Sequence, residues 1–235
     1  MIKLKSNNAI YESLQNKRVV KLYVDDSFNN KKILELANQN GVVIEKLNRN
    51  DLTRRFGYGS QGAVAEAIPF KTYNLDNIIK CSKEVKNAVV VMLDELNDPH
   101  NLGAILRSAD VFGVTAVIYK NRNEVSLNDT VATVSAGAIN YVKCCEVTNL
   151  NQTIEVLKKN GFWVVGLAGE ATSDLKSIPK DVPLVVVVGS EGYGISKLVR
   201  KNCDYMVKIP MSGHVSCLNA SVSCAIVLYE LSTRK

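Results

Sequence analysis

The sequence predicts an α/β fold in which a parallel β-sheet carries helices on both faces. From residue 88 onward, short apolar segments alternate with segments whose apolar residues recur at helical spacing. The runs 88–93 and 184–188 are apolar throughout, as is typical of parallel strands buried on both faces. Loops rich in Gly, Pro, Asn and Ser follow several of these runs. Such alternation of strand and helix predicts one parallel sheet.

The elements of this second region can be placed in chain order. The helix over 102–112 carries Ile105, Leu106 and Ala109 on one side, which is the spacing of a buried helical face. We expect strands at 88–93, 115–119, 162–167, 184–188 and 206–209, and further helices at 154–159, 193–201 and 216–233.

The first part of the chain predicts a smaller α/β unit. Its strands are expected at 18–24, 42–44 and 63–68, and its helices at 29–40 and 51–55. The stretch 69–87 mixes Pro, Lys and Asn with one helical segment, so we place the linker there. The predicted organisation is therefore a small domain at 1–70, a linker at 71–87 and a larger domain at 88–235.

The net charge of +6 is concentrated in the first third of the chain. Residues 1–86 hold fifteen Lys and Arg against nine Asp and Glu, whereas residues 87–235 hold fourteen of each. A basic segment joined to a neutral one favours a module that binds a polyanion. A basic domain with no polyanionic partner is the alternative that composition leaves open.

Cysteine usage and hydropathy indicate a cytoplasmic protein. None of the six cysteines forms a CxxC pair and two of them are adjacent, which argues against a zinc site and a disulfide framework. No segment approaches the ~20 apolar residues that a membrane helix needs. The first residues carry charge but no apolar signal core, so we expect no export.

Three loops of the larger region are expected to form one composite site. The loops at 97–101, 189–194 and 209–219 all follow predicted strands, and ligands of open parallel sheets bind beyond the carboxyl ends of the strands. The glycines of the middle loop are spaced G-x-x-G-x-G, which is not the dinucleotide fingerprint, and no P-loop or G-x-S-x-G motif is present. His100 and His214 share no metal-ligand spacing, so we expect no metal.

Each polar residue of these loops also has a simpler interpretation. Arg107 could pair with Asp110 on a helix surface, and Glu191 could be an acid in the first turn of a helix. Asn219 could be an ordinary residue at the start of a helix that Ser216 caps. Their joint placement at three strand ends favours a shared site.

Three sequence blocks resemble the SpoU (TrmH) family of RNA ribose 2′-O-methyltransferases. They are residues 97–113, 188–195 and 209–222, in the family's order and spacing. Residues 7–14 and 60–65 are similar to the opening and closing motifs of the family's small substrate-binding domain. The layout most resembles the branch that methylates a guanosine ribose in large-subunit ribosomal RNA. Two departures are Cys217, where Ser is common, and the missing Gly before the first Asn of the opening motif.

The resemblance implies a fold, a cofactor and a set of site residues. It implies a parallel-sheet methyltransferase domain with a C-terminal trefoil knot, S-adenosylmethionine as cofactor, ribosomal RNA as partner, and a homodimer. Carried over position by position, it assigns Gly189, Ile209 and Leu218 to cofactor binding. It assigns the reactive centre to Asn101, Arg107, Glu191, Ser216 and Asn219.

The chemistry of ribose methylation is consistent with these residues. The ribose hydroxyl is almost wholly protonated at neutral pH, and a guanidinium about 4 Å from the developing alkoxide would contribute roughly 4 kcal/mol at an effective dielectric of about 20. Because a guanidinium resists deprotonation, we expect Arg107 to stabilise the alkoxide electrostatically, and the final proton acceptor stays open. Asn101 is a candidate for orienting the ribose or a phosphate, and Glu191 for holding Arg107.

Two alternatives of different kinds stay open. The first is a related methyltransferase that acts on transfer RNA or on another ribosomal site, since target choice depends on folded RNA shape. The second is an RNA-binding or assembly module without catalysis, against which the intact Asn101, Arg107, Glu191 and Asn219 argue.

Overall fold

The computed structural model describes residues 1–121, 127–215 and 217–233. The chain forms two compact units. The first consists of Met1–Phe70 and Leu127–Tyr141, and the second of the described residues of Lys71–Ser126 and Val142–Lys235.

The first unit is a small α/β domain around a four-stranded mixed sheet. Its strand order is β1-β4-β2-β3, in which β2 and β3 are parallel and β4 is antiparallel to both of its neighbours. Tyr23, Leu52, Phe56 and Val64 form a buried apolar cluster in it. The elements are β1 (Ile2–Leu4), α1 (Asn7–Gln15), β2 (Val19–Asp25), α2 (Lys31–Gln39), β3 (Val43–Leu47), α3 (Arg49–Phe56), β4 (Ala63–Ala67), the later helix α6 (Asp129–Val134) and a short 3-10 helix (Ala138–Asn140).

The second unit contains an eight-stranded sheet in which every pair of neighbours is parallel. The strand order is β10-β12-β9-β11-β6-β7-β8-β5. This confirms the predicted α/β fold with a parallel sheet. The elements are β5 (Thr72–Tyr73), α4 (Leu75–Lys83), β6 (Val89–Asp94), α5 (Pro99–Val111), β7 (Ala116–Lys120), β8 (Lys143–Val147), α7 (Leu150–Lys159), β9 (Trp163–Leu167), β10 (Ser173–Asp174), a 3-10 helix (Leu175–Ser177), β11 (Leu184–Gly189), α8 (Lys197–Lys201), β12 (Tyr205–Lys208) and α9 (Ala220–Ser232).

The chain changes direction across the sheet at the pair β6–β11. From β6 it runs to β7 and β8 on one side, and it then crosses to β9, β11 and β12 on the other. Gly189, the last residue of β11, lies in register with Asp94, the last residue of β6. A ligand crevice is expected at such a reversal, beyond the carboxyl ends of the strands.

The structure differs from the sequence prediction in several places, three of which concern the domain boundaries and the candidate site. Residues 71–87, predicted as a linker, contain β5 and α4, and β5 adds an edge strand to the large sheet by pairing with β8. Residues 127–141, predicted within the larger domain, cluster with the first unit. Helix α9 starts at Ala220 instead of residue 216, because Asn219 caps it. The trefoil knot stays a prediction.

No helix in the described part of the chain is long and apolar enough to span a membrane. Nor do three or more His, Cys, Asp or Glu side chains cluster as metal ligands anywhere in residues 1–121, 127–215 and 217–233.

Candidate active site

A cavity of about 390 Å³ lies at the carboxyl ends of β9, β11 and β12. Its size falls in the range of about 300–1,000 Å³ that is usual for small-molecule sites. Gly189, Ile209 and Leu218, the three residues predicted to bind a cofactor, all line it. The cavity is also lined by the loop Ser190–Gly194 that follows β11.

The loop after β11 is a closed turn that needs glycine at both ends. The Ser190 amide donates to the Gly194 carbonyl (3.1 Å), and the Gly194 amide donates back to the Ser190 carbonyl (2.9 Å). Gly194 has a φ of +66°, which a side chain disfavours. A Cβ on Gly189 would overlap the backbone of Gly194 and Ile195. Gly189, Gly192 and Gly194 all line the cavity, so part of its wall at this point carries no side chain.

Asn101, Glu191 and Asn219 form a polar cluster beside this cavity. Asn101 Nδ2 donates to Glu191 Oε1 (3.0 Å), and Asn219 Nδ2 donates to Asn101 Oδ1 (2.9 Å). Asn219 Nδ2 also donates to the same Glu191 oxygen. Asn101 is buried, whereas Glu191 and Asn219 are exposed. Three residues that are far apart in sequence thus meet through one set of hydrogen bonds.

Local structure explains how these side chains are positioned. Asp98 caps α5 by accepting from the His100 amide (2.8 Å), and Pro99 occupies the first turn, so Asn101 lies in that turn. Asn219 is the N-cap of α9, and its Oδ1 accepts from the amides of Ser221 (2.9 Å) and Val222 (3.3 Å). The Asn219 side chain therefore uses its oxygen for the helix and its nitrogen for the cluster.

Arg107 belongs neither to this cluster nor to the cavity wall. Its side chain is exposed on α5, and it forms no hydrogen bond or ion pair with the other described residues. The expectation that Glu191 holds Arg107 is wrong, because the Glu191 carboxylate accepts from Asn101 and Asn219 instead. Ser216, the remaining predicted site residue, lies outside the described residues.

Two further features of the site were missed by the sequence analysis. Arg200 and Glu170 form an ion pair, and both residues line the cavity. The buried carboxylate of Asp94 accepts from the Ser196 amide (2.7 Å) at the start of α8, which ties β6 to the chain after the Gly194 turn. A polar residue ending an otherwise apolar strand, as Asp94 does, is the sequence signal that could have identified the second feature.

Burial excludes two of the six cysteine thiols as nucleophiles. All six cysteines are free, and burial raises the pKa of the Cys203 and Cys224 thiols to about 12. Cys217 is exposed and lines the cavity. A thiol with so high a pKa stays protonated at neutral pH, so Cys203 and Cys224 are inert there.

Comparisons with known proteins identify the family of the chain. The SpoU rRNA Methylase family model matches residues 88–229, and the model for RNA 2′-O ribose methyltransferase substrate binding matches residues 7–73. YacO of Bacillus subtilis, which bears a TrmH-family tRNA/rRNA methyltransferase name, is 36% identical over 233 residues, covering 97% of this chain and 94% of YacO. A Staphylococcus saprophyticus protein with a similar name is 41% identical over 204 residues, covering 86% of this chain and 82% of its own.

A solved structure shares the fold over almost the whole chain. The SpoU methyltransferase AviRb from Streptomyces viridochromogenes, in complex with its cofactor AdoMet, superposes with a TM-score of 0.79 at 23% identity. The match covers 99% of this chain and 89% of AviRb.

Proposed function

Because the chain belongs to the SpoU family of RNA methylases, we propose that it methylates the ribose 2′-hydroxyl of a guanosine in large-subunit ribosomal RNA. It is an S-adenosylmethionine-dependent RNA ribose methyltransferase with an RNA substrate-binding domain at its N-terminus. The observation that carries the proposal is the meeting of Asn101, Glu191 and Asn219 beside a cavity lined by Gly189, Ile209 and Leu218.

The cavity fits S-adenosylmethionine by its size and by its bare backbone wall. Gly192 and Gly194 line the cavity without side chains, and the space that a Cβ would take at either is open, so a ligand can approach main-chain atoms of the turn Ser190–Gly194. We assign cofactor binding to Gly189, Ile209 and Leu218. When bound, the cofactor supplies a methyl group that its positively charged sulfur already activates.

The polar cluster would orient the ribose. Asn219 uses both amide hydrogens to hold Asn101 and Glu191, which leaves the second amide hydrogen of Asn101 and the second carboxylate oxygen of Glu191 to meet a substrate. A preorganised polar site lowers the cost of placing a reactive oxygen correctly. Ser216 is assigned to the same centre by its place in the third sequence block.

Arg107 would stabilise the alkoxide that forms when the ribose hydroxyl loses its proton. The guanidinium has no partner among the described residues, so its charge is available to a substrate. It lies six residues after Asn101 on α5, about 9 Å along the helix axis. The tilt of helical side chains towards the N-terminus shortens this axial separation, while 3.6 residues per turn place Arg107 roughly 120° around the helix from Asn101.

Substitution of Arg107 tests this role. Arg107→Ala is expected to lower turnover by about 10²–10³-fold, the usual effect of removing one group that stabilises a developing oxyanion. The affinity for S-adenosylhomocysteine, measured by isothermal titration, should stay unchanged because Arg107 does not line the cavity.

Lys159→Ala is the matched control, since Lys159 is an exposed cation at the end of α7. It should methylate like the wild type. Near-normal methylation by Arg107→Ala would contradict the assignment.

The proposal also names large-subunit rRNA, and not tRNA, as the substrate. The names of the two relatives mention both tRNA and rRNA, so a tRNA ribose methyltransferase is the second candidate. Transfer of tritiated methyl groups to separated large-subunit rRNA, small-subunit rRNA and tRNA distinguishes these candidates. We expect the label in large-subunit rRNA, as 2′-O-methylguanosine. Label in tRNA alone would favour the second candidate, and cofactor binding without transfer would favour a non-catalytic RNA-binding module.

Helix α9 supports the proposal that the protein is a homodimer. On one of its faces, Ala220, Cys224 and Val227 are buried. A second apolar face carries Val222 and Tyr229, which are 45% and 59% exposed. A helix that is apolar on two faces is usually buried on both. A second copy of the chain would cover the exposed face.

The six free thiols support a reducing compartment, and we propose the cytoplasm.

A further inference from the structure

We propose that Tyr58 is a stacking platform for an unpaired RNA base. Tyr58 is 90% exposed, more than any other large apolar or aromatic side chain in the described residues of the first unit. It lies in the loop of residues 57–62, between α3 and β4. The inference rests on the proposed RNA methyltransferase function, and it adds a residue with which the first unit would hold its substrate.

The loop that carries Tyr58 is fixed, although the ring itself is exposed. Four hydrogen bonds tie the loop to the rest of the unit. They join Lys5 Nζ to the Tyr58 carbonyl (3.1 Å), Arg49 Nη2 to the Ser60 carbonyl (3.5 Å), the Asn7 amide to Gln61 Oε1 (3.2 Å) and the Asp25 amide to the Gly62 carbonyl (2.8 Å). A ring on a fixed loop loses little conformational entropy when a ligand covers it.

Asp25 holds the loop both through its amide and through Arg49, which its carboxylate binds. Its buried carboxylate accepts from Arg49 Nη1 (2.5 Å) and from the amide and hydroxyl of Ser27 (3.1 and 2.7 Å). Burial alone would raise the pKa of Asp25, but the hydrogen bonds from Arg49 and Ser27 outweigh it and hold the pKa below its ordinary value. The carboxylate therefore stays ionised at neutral pH and keeps Arg49 directed at the loop.

Two cations without acidic partners lie beside the loop. Lys5 Nζ contacts the Tyr58 carbonyl, and Lys3 Nζ lies 5.4 Å from the centre of the Phe56 ring, just before the loop. Neither lysine forms an ion pair with any carboxylate in the part of the chain that the structure describes. By contrast, Arg54 of α3 is already paired, with Asp51 (2.7 Å).

An exposed ring flanked by free cations matches the chemistry of unpaired RNA. Proteins hold single-stranded nucleic acid by stacking bases on aromatic side chains while cations contact the backbone phosphates. Sequence-specific RNA recognition also targets unpaired bases, which stack on rings of this kind. A protein partner would explain the exposed ring but would not require the two unpaired lysines beside it.

The test uses the full chain and an RNA heptamer with one central 2-aminopurine, whose fluorescence falls when the base stacks. Tyr58→Ala is expected to raise the dissociation constant by about 5- to 100-fold and to reduce the quenching, since loss of one base–aromatic stack has that effect. Tyr58→Phe keeps the ring and should bind within about twofold of the wild type.

Val43→Ala is the matched control, because Val43 is a 63% exposed apolar side chain on β3, the opposite edge strand of the same sheet from β1. It should bind like the wild type. Equal binding by Tyr58→Ala and the wild type would overturn the inference, as would absence of quenching by the wild type.

Methyl transfer by the same proteins separates this inference from the proposed function. A wild type that binds and quenches the heptamer but methylates no RNA would contradict the function and leave the stacking role intact. A wild type that methylates RNA, beside a Tyr58→Ala variant that binds the heptamer equally well, would contradict the stacking role alone.

Discussion

At the scale of single residues, Gly189 shows how a main-chain constraint defines the candidate cofactor site. It ends β11 in register with Asp94, and it has no room for a Cβ because Gly194 and Ile195 return across it. The missing side chain is therefore a requirement of the turn, which itself forms part of the cavity wall. A Cβ added at position 189 should disturb both the turn and the cavity wall.

The variants Gly189→Ala and Gly192→Ala test this requirement. Gly189→Ala must shift the backbone of the turn, and overpacking of this kind costs about 1–3 kcal/mol of stability. We expect the affinity for S-adenosylhomocysteine to fall by at least about tenfold. Gly192 lines the same cavity with nothing within 4 Å of an added Cβ, so Gly192→Ala should bind within about twofold. Isothermal titration measures both affinities, and equal affinities would show that the turn tolerates a side chain.

At the scale of secondary-structure elements, α9 and the candidate active site share one residue. The Asn219 oxygen caps the helix, whereas its nitrogen donates to Asn101 and Glu191. The start of α9 therefore fixes where the cluster lies. The capping role and the bridging role of residue 219 can be separated. Serine caps helices about as well as asparagine, but its side chain is too short to reach Asn101 and Glu191.

Asn219→Ser is thus expected to keep its stability and lose activity. Its melting temperature should stay close to that of the wild type, while methyl transfer falls on the order of 10- to 100-fold through misplacement of Asn101. Asn219→Ala removes the cap as well and should cost about 1 kcal/mol of stability. Thermal unfolding and tritium transfer, measured on both variants, give the comparison. Full activity of Asn219→Ser would show that the bridge is dispensable.

The sequence was informative about elements with strong periodicity and about neighbours in the chain. The apolar strands β6 and β11 and the helix α5 appear close to where they were predicted, because burial on a sheet determines their pattern. The two-residue strands β5 and β10 carry too few residues for any periodicity. The bridge from Asn101 to Glu191 spans 90 positions, so local spacing contained no sign of it. The positions of three loops at strand ends predicted a shared site, and the family resemblance assigned these residues to it.

At the scale of the whole molecule, the exposed apolar face of α9 determines whether the protein is a monomer or a dimer. Val222 and Tyr229 lie seven residues apart on that face, and Val111 of α5 adds a side chain that is 70% exposed. Helices α5 and α9 pack together, with the rings of Phe112 and Tyr229 6.2 Å apart. A dimer interface of usual size, about 800 Å² per partner, would bury such a face.

Tyr229→Glu is expected to give a monomer in sedimentation velocity, because a charge would be buried without a partner in the interface. Val156→Glu introduces the same charge at a 37% exposed position on α7 and should leave the dimer intact. A wild type that sediments as a monomer at micromolar concentration would contradict the proposed dimer.

The position of β11 in the large sheet has a consequence for synthesis of the chain. This strand separates β9 from β6, yet it begins 90 residues after β6 ends. At a translation rate of about 5–20 residues per second, the ribosome needs roughly 5 to 18 seconds to deliver it. During that interval the backbone N–H and C=O groups on the β11 side of β6 have no partner strand. Another polypeptide can pair with such an exposed strand edge. We expect chaperones to bind the growing polypeptide during this interval.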